Sequence, residues 1–225
     1  MQVTEAVRQR KSVRAFKPDP VSREEMRTIL EIARAAPSGG NLQPWRMIVV
    51  TGSEKDAVSA LALETLKQNP QGQAGDYPIY PAKLEEPYRS RRYKVGEDLY
   101  AILGIAREDT WGRLAQMSKN YEFFGAPIAI FFVIDRAMGH GQWAHMGMLM
   151  QTICLVAHER GLATCMQEAW AMVRESLAQH FGLAPHEVIY CAMAVGYEDT
   201  DAPINQLRTA RADLDELAQF KGFTV

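Results

Sequence analysis

The sequence predicts an α+β protein, a small sheet with helices packed on it, and three observations carry that prediction. Residues 128–134 (IAIFFVI) form a continuous β-branched and aromatic run suited to a buried strand. Residues 46–51 (RMIVVT) and 188–195 repeat the strand signal on either side of it. The rest is mostly apolar residues at helical spacing, so strands are few and interleaved with helices.

Each element has its own signal. Ser22-Arg23-Glu24-Glu25 is a capping box and should start a helix. Met26, Ile29, Leu30, Ala33 and Ala36 continue it at helical spacing, and it should stop before Pro37-Ser38-Gly39-Gly40. The strand at 46–51 follows, then an amphipathic helix over 54–67. Pro, Gly and Tyr then crowd into NPQGQAGDYPIYPAKLEEPY, a long connection of the kind that forms lids and binding loops. It opens a variable lid region over 68–115, with helices expected around 95–104 and 108–120. After the strand at 128–134, a strongly apolar helix should run over 142–160 and end at Gly161. Its apolar core, 143–157, is too short to span a bilayer and is interrupted by His145 and Gln151. It also needs more cover than one small sheet offers, which predicts a homodimer. The whole chain, 1–225, reads as one domain.

Composition narrows the function. Of 225 residues 47% are hydrophobic and 23% charged, as in an ordinary globular protein. A net charge of -2 gives no general attraction for nucleic acid or an anionic membrane, so any cationic site must be local. Cys154, Cys165 and Cys191 are widely spaced and odd in number, which argues against a disulfide framework and for a reducing compartment. The opening MQVTEAVRQRKS carries no apolar run of a secretory signal, and the expected location is cytoplasmic.

One local cationic feature stands out. In Arg10-Lys11-Ser12-Val13-Arg14, extended backbone would place Arg10, Ser12 and Arg14 on one face. Two guanidinium forks flanking a hydroxyl suit phosphate oxygens. Arg208-Thr209-Ala210-Arg211 offers the same chemistry near the other end. A second feature, Pro37-Ser38-Gly39-Gly40-Asn41-Leu42-Gln43-Pro44-Trp45, joins a helix end to a strand. Paired glycines let backbone approach a ligand, and Ser38, Asn41 and Gln43 add donors and acceptors. A helix C-cap followed by a turn would use the same residues.

In combination and order these segments closely resemble the FMN-dependent nitroreductase family, over nearly the entire chain. The segments Asn120-Tyr121-Glu122-Phe123-Phe124-Gly125-Ala126-Pro127 and Thr164-Cys165-Met166-Gln167-Glu168-Ala169-Trp170 resemble the branch that reduces nitrobenzoate-like aromatics. So do Asn205, Leu207, Arg208, Thr209 and Arg211 with Phe220-Lys221-Gly222-Phe223. The resemblance implies a nitroreductase-like fold, a small mixed sheet surrounded by helices in an intertwined homodimer, with FMN at the dimer interface.

It also implies residue roles. Arg10, Ser12 and Arg211 would hold the FMN phosphate, with Lys11 and Arg208 beside them. Arg14 would lie near the pyrimidine edge, where a permanent cation offsets charge on the reduced ring. Pro37, Ser38, Gly39, Asn41 and Gln43 would reach the flavin of the partner subunit, and Gln142 joins the cofactor set. The backbone of Glu168 and Ala169 would face N5 and O4, and Phe123 and Phe124 would line the substrate side. Met166 stands where similar proteins usually carry proline, which bears on loop rigidity rather than on these backbone contacts. The implied activity is ping-pong reduction of nitroaromatics or quinones by NADH or NADPH, with flavin N5 carrying the hydride and no catalytic side chain. Two alternatives are a reductive dehalogenase whose lid would use the Glu, Tyr and Lys residues of 84–94, and a non-catalytic flavin-binding module.

Other motifs carry less. Gly139-His140-Gly141-Gln142-Trp143-Ala144 matches a dinucleotide fingerprint but lacks the following strand with an acidic end. The five histidines show no metal-ligand spacing, and no metal is expected. Trp143, Met146, Met150 and Ile153 form a stripe that reads as core or dimer seam. Arg89, Arg91, Arg92 and Lys94 read as a solvated helix start.

Overall fold

The computed structural model describes residues 1–73 and 77–223. Four strands, β1 (Trp45–Thr51), β2 (Ile128–Asp135), β3 (Ala163–Gln167) and β4 (Glu187–Gly196), form one sheet in the order β1-β2-β4-β3. All neighbouring strands are antiparallel. The parallel component of the expected mixed sheet is confined to an isolated bridge between Ser12 and Thr164.

The continuous apolar run of β2 is explained by cover on both faces. Ile130, Phe132 and Ile134 enter one core with Met146, Leu149, Ile153 and the apolar face of residues 26–36. Ala129, Phe131 and Val133 enter a second core with Val58, Ala62, Trp170 and Leu177. A strand buried on both sides cannot alternate polar and apolar residues.

Eight α-helices lie among the described residues. α1 (Val3–Gln9) buries only Ala6. α2 (Arg23–Ala33) starts where the capping box predicts, with the Glu25 N–H donating to Ser22 Oγ at 3.0 Å. The return half of the box does not form: the Glu25 carboxylate pairs with Arg160, whose Nη2 is 2.8 Å away. α3 (Gly52–Gln68) matches expectation; α4 (Tyr88–Ile102) begins earlier than its apolar pattern suggests, and α5 (Thr110–Ser118) is capped by Asp109. α6 (His140–Glu159) ends at Gly161, which takes a φ of 78°. α7 (Arg174–His180) and α8 (Leu214–Leu217) complete the set. Among the described residues no helix is long and apolar enough to cross a membrane, and no group of three or more His, Cys, Asp or Glu could hold a metal ion.

Candidate active site

Residues 10–14 are extended, as the phosphate-strip reading requires, although they form no full strand. Ser12 bridges to Thr164 of β3, and the Val13 N–H donates to the Thr164 carbonyl at 3.0 Å. The other side is clasped by Asn205, which is 1% exposed. Its Oδ1 accepts from the Arg14 N–H at 2.8 Å, and its Nδ2 donates to the Ala15 and Asp199 carbonyls at 2.8 Å each. One buried amide thus ties the N-terminal strip to the segment that carries Arg208 and Arg211.

The result is a recess of about 440 Å³ lined by Arg10, Ser12, Arg14, Arg208, Thr209 and Arg211, with Lys11, Arg8, Val7 and Leu207 around them. Among the described residues no acidic side chain lines it. The two distant cationic segments therefore converge within one chain. Arg10 Nε is buried and has no hydrogen-bond partner among the described residues. Arg208 Nη1 donates to the Gln9 carbonyl at 3.0 Å, and Arg211 Nη1 donates to Thr209 Oγ1 at 2.7 Å, which fixes both at the rim. Lys11, expected in the cofactor set, lines the recess but spends its charge within the protein. Its Nζ pairs with Glu198 at 2.6 Å and donates to the Asn205 carbonyl at 2.5 Å, so its charge is already met.

The Pro37–Gln43 segment is a second, separate surface that contributes nothing to the recess lining. Gly39–Asn41 form a 3-10 turn, and Gly40, Asn41 and Gln43 take φ values of 60°, 54° and 49°. Ser38 Oγ accepts from the Gln43 N–H at 2.9 Å and closes the turn. The Gly39 N–H donates to His145 Nδ1 at 3.3 Å, and the Gln142 amide lies 3.1 Å from the same nitrogen. A Cβ on Gly39 would sit 3.0 Å from the His145 ring, so glycine permits this docking. His145 is thus a contact of this loop that sequence reasoning missed: no spacing rule links it to a loop a hundred residues away.

A third element is the end of β3. Glu168 and Ala169 open a 3-10 turn (Glu168–Val173), where the first N–H groups have no acceptor within the turn. Gln167 is buried, with Nε2 donating to the Asn120 carbonyl at 2.7 Å, and the Tyr121 hydroxyl donates to the Ala169 carbonyl at 3.2 Å. Partial burial pushes the Glu168 carboxyl above its ordinary range.

Phe123 and Phe124 correct the expectation of a substrate wall. Phe123 is fully buried and stacks on Trp170 with centroids 4.4 Å apart, and Phe124 is buried in the same core. Both take left-handed φ values, 53° and 54°, which strain a bulky residue and turn the rings inward.

In the lid, Tyr77 packs edge-on against Trp143 at 4.7 Å, beneath the Arg174 guanidinium at 4.2 Å from its ring, and its hydroxyl donates to the Tyr190 carbonyl. The basic cluster is internally paired: Arg89 with Glu86, Arg91 with Glu216, Lys94 with Asp98, and Arg92 over the Tyr80 ring. Those pairings also occupy the charges of 84–94 that a dehalogenase lid would use. Among the described residues no neighbouring strands run parallel, so the dinucleotide fingerprint lacks its strand pair and Gly139 simply N-caps α6.

Residues 7–197 match the family model described as Nitroreductase family. The chain belongs to the nitroreductase family. Among its relatives, a 4-nitrobenzoate reductase of Pseudomonas putida is 38% identical, covering 96% of this chain and 94% of that protein. A nitrobenzene nitroreductase of Ectopseudomonas oleovorans is 33% identical, covering 97% and 96%. Of solved structures, the FMN and NADPH-dependent nitroreductase NfnB from Sphigopyxis sp. strain HMH is 44% identical with a TM-score of 0.96, covering 99% of this chain and 100% of that one. The FMN-dependent nitroreductase NfnB from Mycobacterium smegmatis in complex with NADPH is 29% identical with a TM-score of 0.92, covering 97% of each chain.

Proposed function

We propose that this nitroreductase-family protein is an FMN-dependent enzyme that uses reduced nicotinamide, NADPH in the first instance, to reduce nitroaromatic compounds. The single observation that carries the reading is the acid-free cationic recess with a buried, unpartnered Arg10 Nε in a chain of net charge -2. A buried donor without an acceptor is costly unless a ligand satisfies it. A phosphate monoester supplies both the oxygen acceptor and the negative charge.

The remaining residues fit the other end of a mononucleotide. β3 starts from the recess at the Ser12–Thr164 bridge and reaches Glu168 four residues later, about 13 Å at strand rise. A phosphate site and a ring site are thus separated along one rigid strand. Arg10, Ser12 and Arg211 hold the phosphate, Arg14 offsets negative charge at the ring, and the Glu168 and Ala169 N–H groups orient it. Bound FMN supplies two-electron transfer between the nicotinamide and the nitro group, chemistry no protein side chain provides. The protein's part is to bind, orient and restrict water.

The working unit in this proposal is an intertwined homodimer. Ala144, Gly147 and Met148 leave a small, apolar stripe of α6 exposed. The C-terminal arm exposes Leu214, Leu217, Phe220 and Phe223 at three-residue spacing, and β1 pairs on one edge only among the described residues. A second copy would cover these surfaces and bring its Pro37–Gln43 segment, with Gln142, to the flavin. The domain is the whole chain, 68–115 its lid, and the free, buried cysteines suit a cytoplasmic location.

The test is spectroscopic. Purified protein loaded with FMN should be bleached anaerobically by NADPH and recoloured by a nitroarene at a saturable rate. Flavin that stays oxidised with NADPH, or reduced flavin that a nitroarene does not reoxidise, would overturn the assignment.

A further inference from the structure

Five arginines line the cationic recess, and only Arg10, Arg14 and Arg211 have a role in the flavin binding proposed above. Neither these three nor the other two, Arg8 and Arg208, form an ion pair with any described residue. The one lysine there, Lys11, is met by Glu198. Guanidinium groups keep their charge in proteins, so five positive charges share one recess without an acid.

These charges lie at two depths. Arg10 and Arg14 are half-buried, on either side of the half-buried Ser12. Arg8, Arg208 and Arg211 are exposed at the mouth. Arg8 belongs to the last turn of α1, and Arg208 Nη1 donates to the carbonyl of the next residue, Gln9, at 3.0 Å. The fold therefore docks Arg208 at the end of the helix that carries Arg8.

The charges match two ligands rather than one. A phosphate monoester carries about −1.5 to −2 at neutral pH, enough to offset Arg10 and Arg211. Arg14 is set against the negative charge of the reduced ring. Arg8 and Arg208 remain, and two neighbouring guanidinium groups at an open mouth suit a second phosphate monoester. One nicotinamide reductant brings such a group. NADPH differs from NADH by a phosphate on the adenosine ribose, at the far end of the molecule from the nicotinamide. The recess likewise lies at the far end of β3 from Glu168, about 13 Å at strand rise. The inner cations suit a resident group, and the exposed pair suits a ligand that leaves at each turnover.

We propose that Arg8 and Arg208 form a second phosphate subsite that grips the 2′-phosphate of NADPH and selects it over NADH, with Arg8 dedicated to that selection. The proposal rests on the flavin reading given above, since it takes the inner part of the recess to be filled by the FMN phosphate. Two phosphates in one recess repel each other unless cations offset both. Arg8 touches the distal phosphate and none of the reacting atoms, so its loss acts on NADPH binding and leaves the hydride step alone.

In FMN-loaded native protein, kcat/KM should favour NADPH over NADH by at least about tenfold. Arg8→Ala should lower kcat/KM for NADPH about tenfold through KM alone, the worth of one exposed charge-assisted hydrogen bond. Its kcat/KM for NADH should change less than about threefold. Arg8→Lys, which keeps the charge but not the planar fork, should recover part of the loss. Independently of turnover, calorimetry on FMN-loaded native protein should show adenosine 2′,5′-bisphosphate binding at least about tenfold more tightly than adenosine 5′-monophosphate. Arg8→Ala should remove that difference. No preference in the native protein, a preference that survives Arg8→Ala in either measurement, or equal losses for NADPH and NADH overturns the subsite alone. A loss seen with nitrobenzoate as acceptor but not with nitrobenzene also overturns it, by assigning Arg8 to the acceptor carboxylate. Native protein that does not bind FMN overturns the subsite together with the reading on which it rests.

Discussion

Arg10 and Asn205 do opposite jobs at the same recess. Arg10 presents a buried donor that no described residue meets, whereas every polar atom of the Asn205 side chain is spent on backbone. Asn205→Ala would strand the part-buried Arg14 N–H, whereas the Ala15 and Asp199 carbonyls keep their bonds from the Asp199 and Ala202 N–H groups. At about 1–3 kcal/mol for an unmet group, offset where water enters, together with two lost carbonyl bonds, a net loss of roughly 2 kcal/mol is expected in urea unfolding. The same variant should release FMN more readily, because the arginines of both termini lose their common anchor. Unchanged stability would show that the clasp is not needed. The arginines were readable in the sequence because guanidinium pairs around a hydroxyl have recognisable chemistry. The role of Asn205 was not, since its value lies in three backbone partners that only the fold brings near. Phe123 misled for a related reason. Its ring type suits a substrate wall, but its left-handed backbone turns it onto Trp170.

At the level of elements, legibility followed burial pattern and punctuation. β1, β2, β4, α2, α3 and α6 have either unbroken apolar runs or marked ends, and their positions agree with expectation to within a few residues. β3 has only five residues, one of them the exposed Met166, and so has no readable period. α1 is almost wholly exposed: Val3, Ala6 and Val7 fall at helical spacing, but seven residues are too few to show a period and only Ala6 is buried. The start of α4 was hidden because none of its residues is buried. The capping box was half right: Ser22 caps, while Glu25 is drawn off by Arg160, a partner 135 residues away. Ser22→Ala should therefore cost about 1 kcal/mol, the worth of a single N-cap, measured by thermal or urea unfolding. A cost near zero would mean that the Glu25–Arg160 pair alone holds this end.

For the molecule as a whole, the proposed reading puts two ends of one ligand at two ends of one strand. β3 carries Thr164 against the N-terminal strip and Glu168 at its far end, so phosphate grip and ring orientation share a rigid frame. In the proposed homodimer, the exposed α6 stripe, the apolar C-terminal arm and the edge of β1 that no described strand pairs are the surfaces a second copy would cover. Function was legible at this scale through motif order, whereas the separation of the Gly39 turn from the recess required the fold. Everything depends on the recess being a phosphate site. The direct measurement compares FMN with riboflavin, which lacks only the phosphate, by flavin fluorescence titration of the apoprotein. Native protein should prefer FMN strongly. Arg10→Ala and Arg211→Ala should each weaken FMN binding about 10- to 100-fold, the worth of one charge-assisted hydrogen bond, and leave riboflavin binding unchanged. Equal affinity of the native protein for FMN and riboflavin would contradict the account.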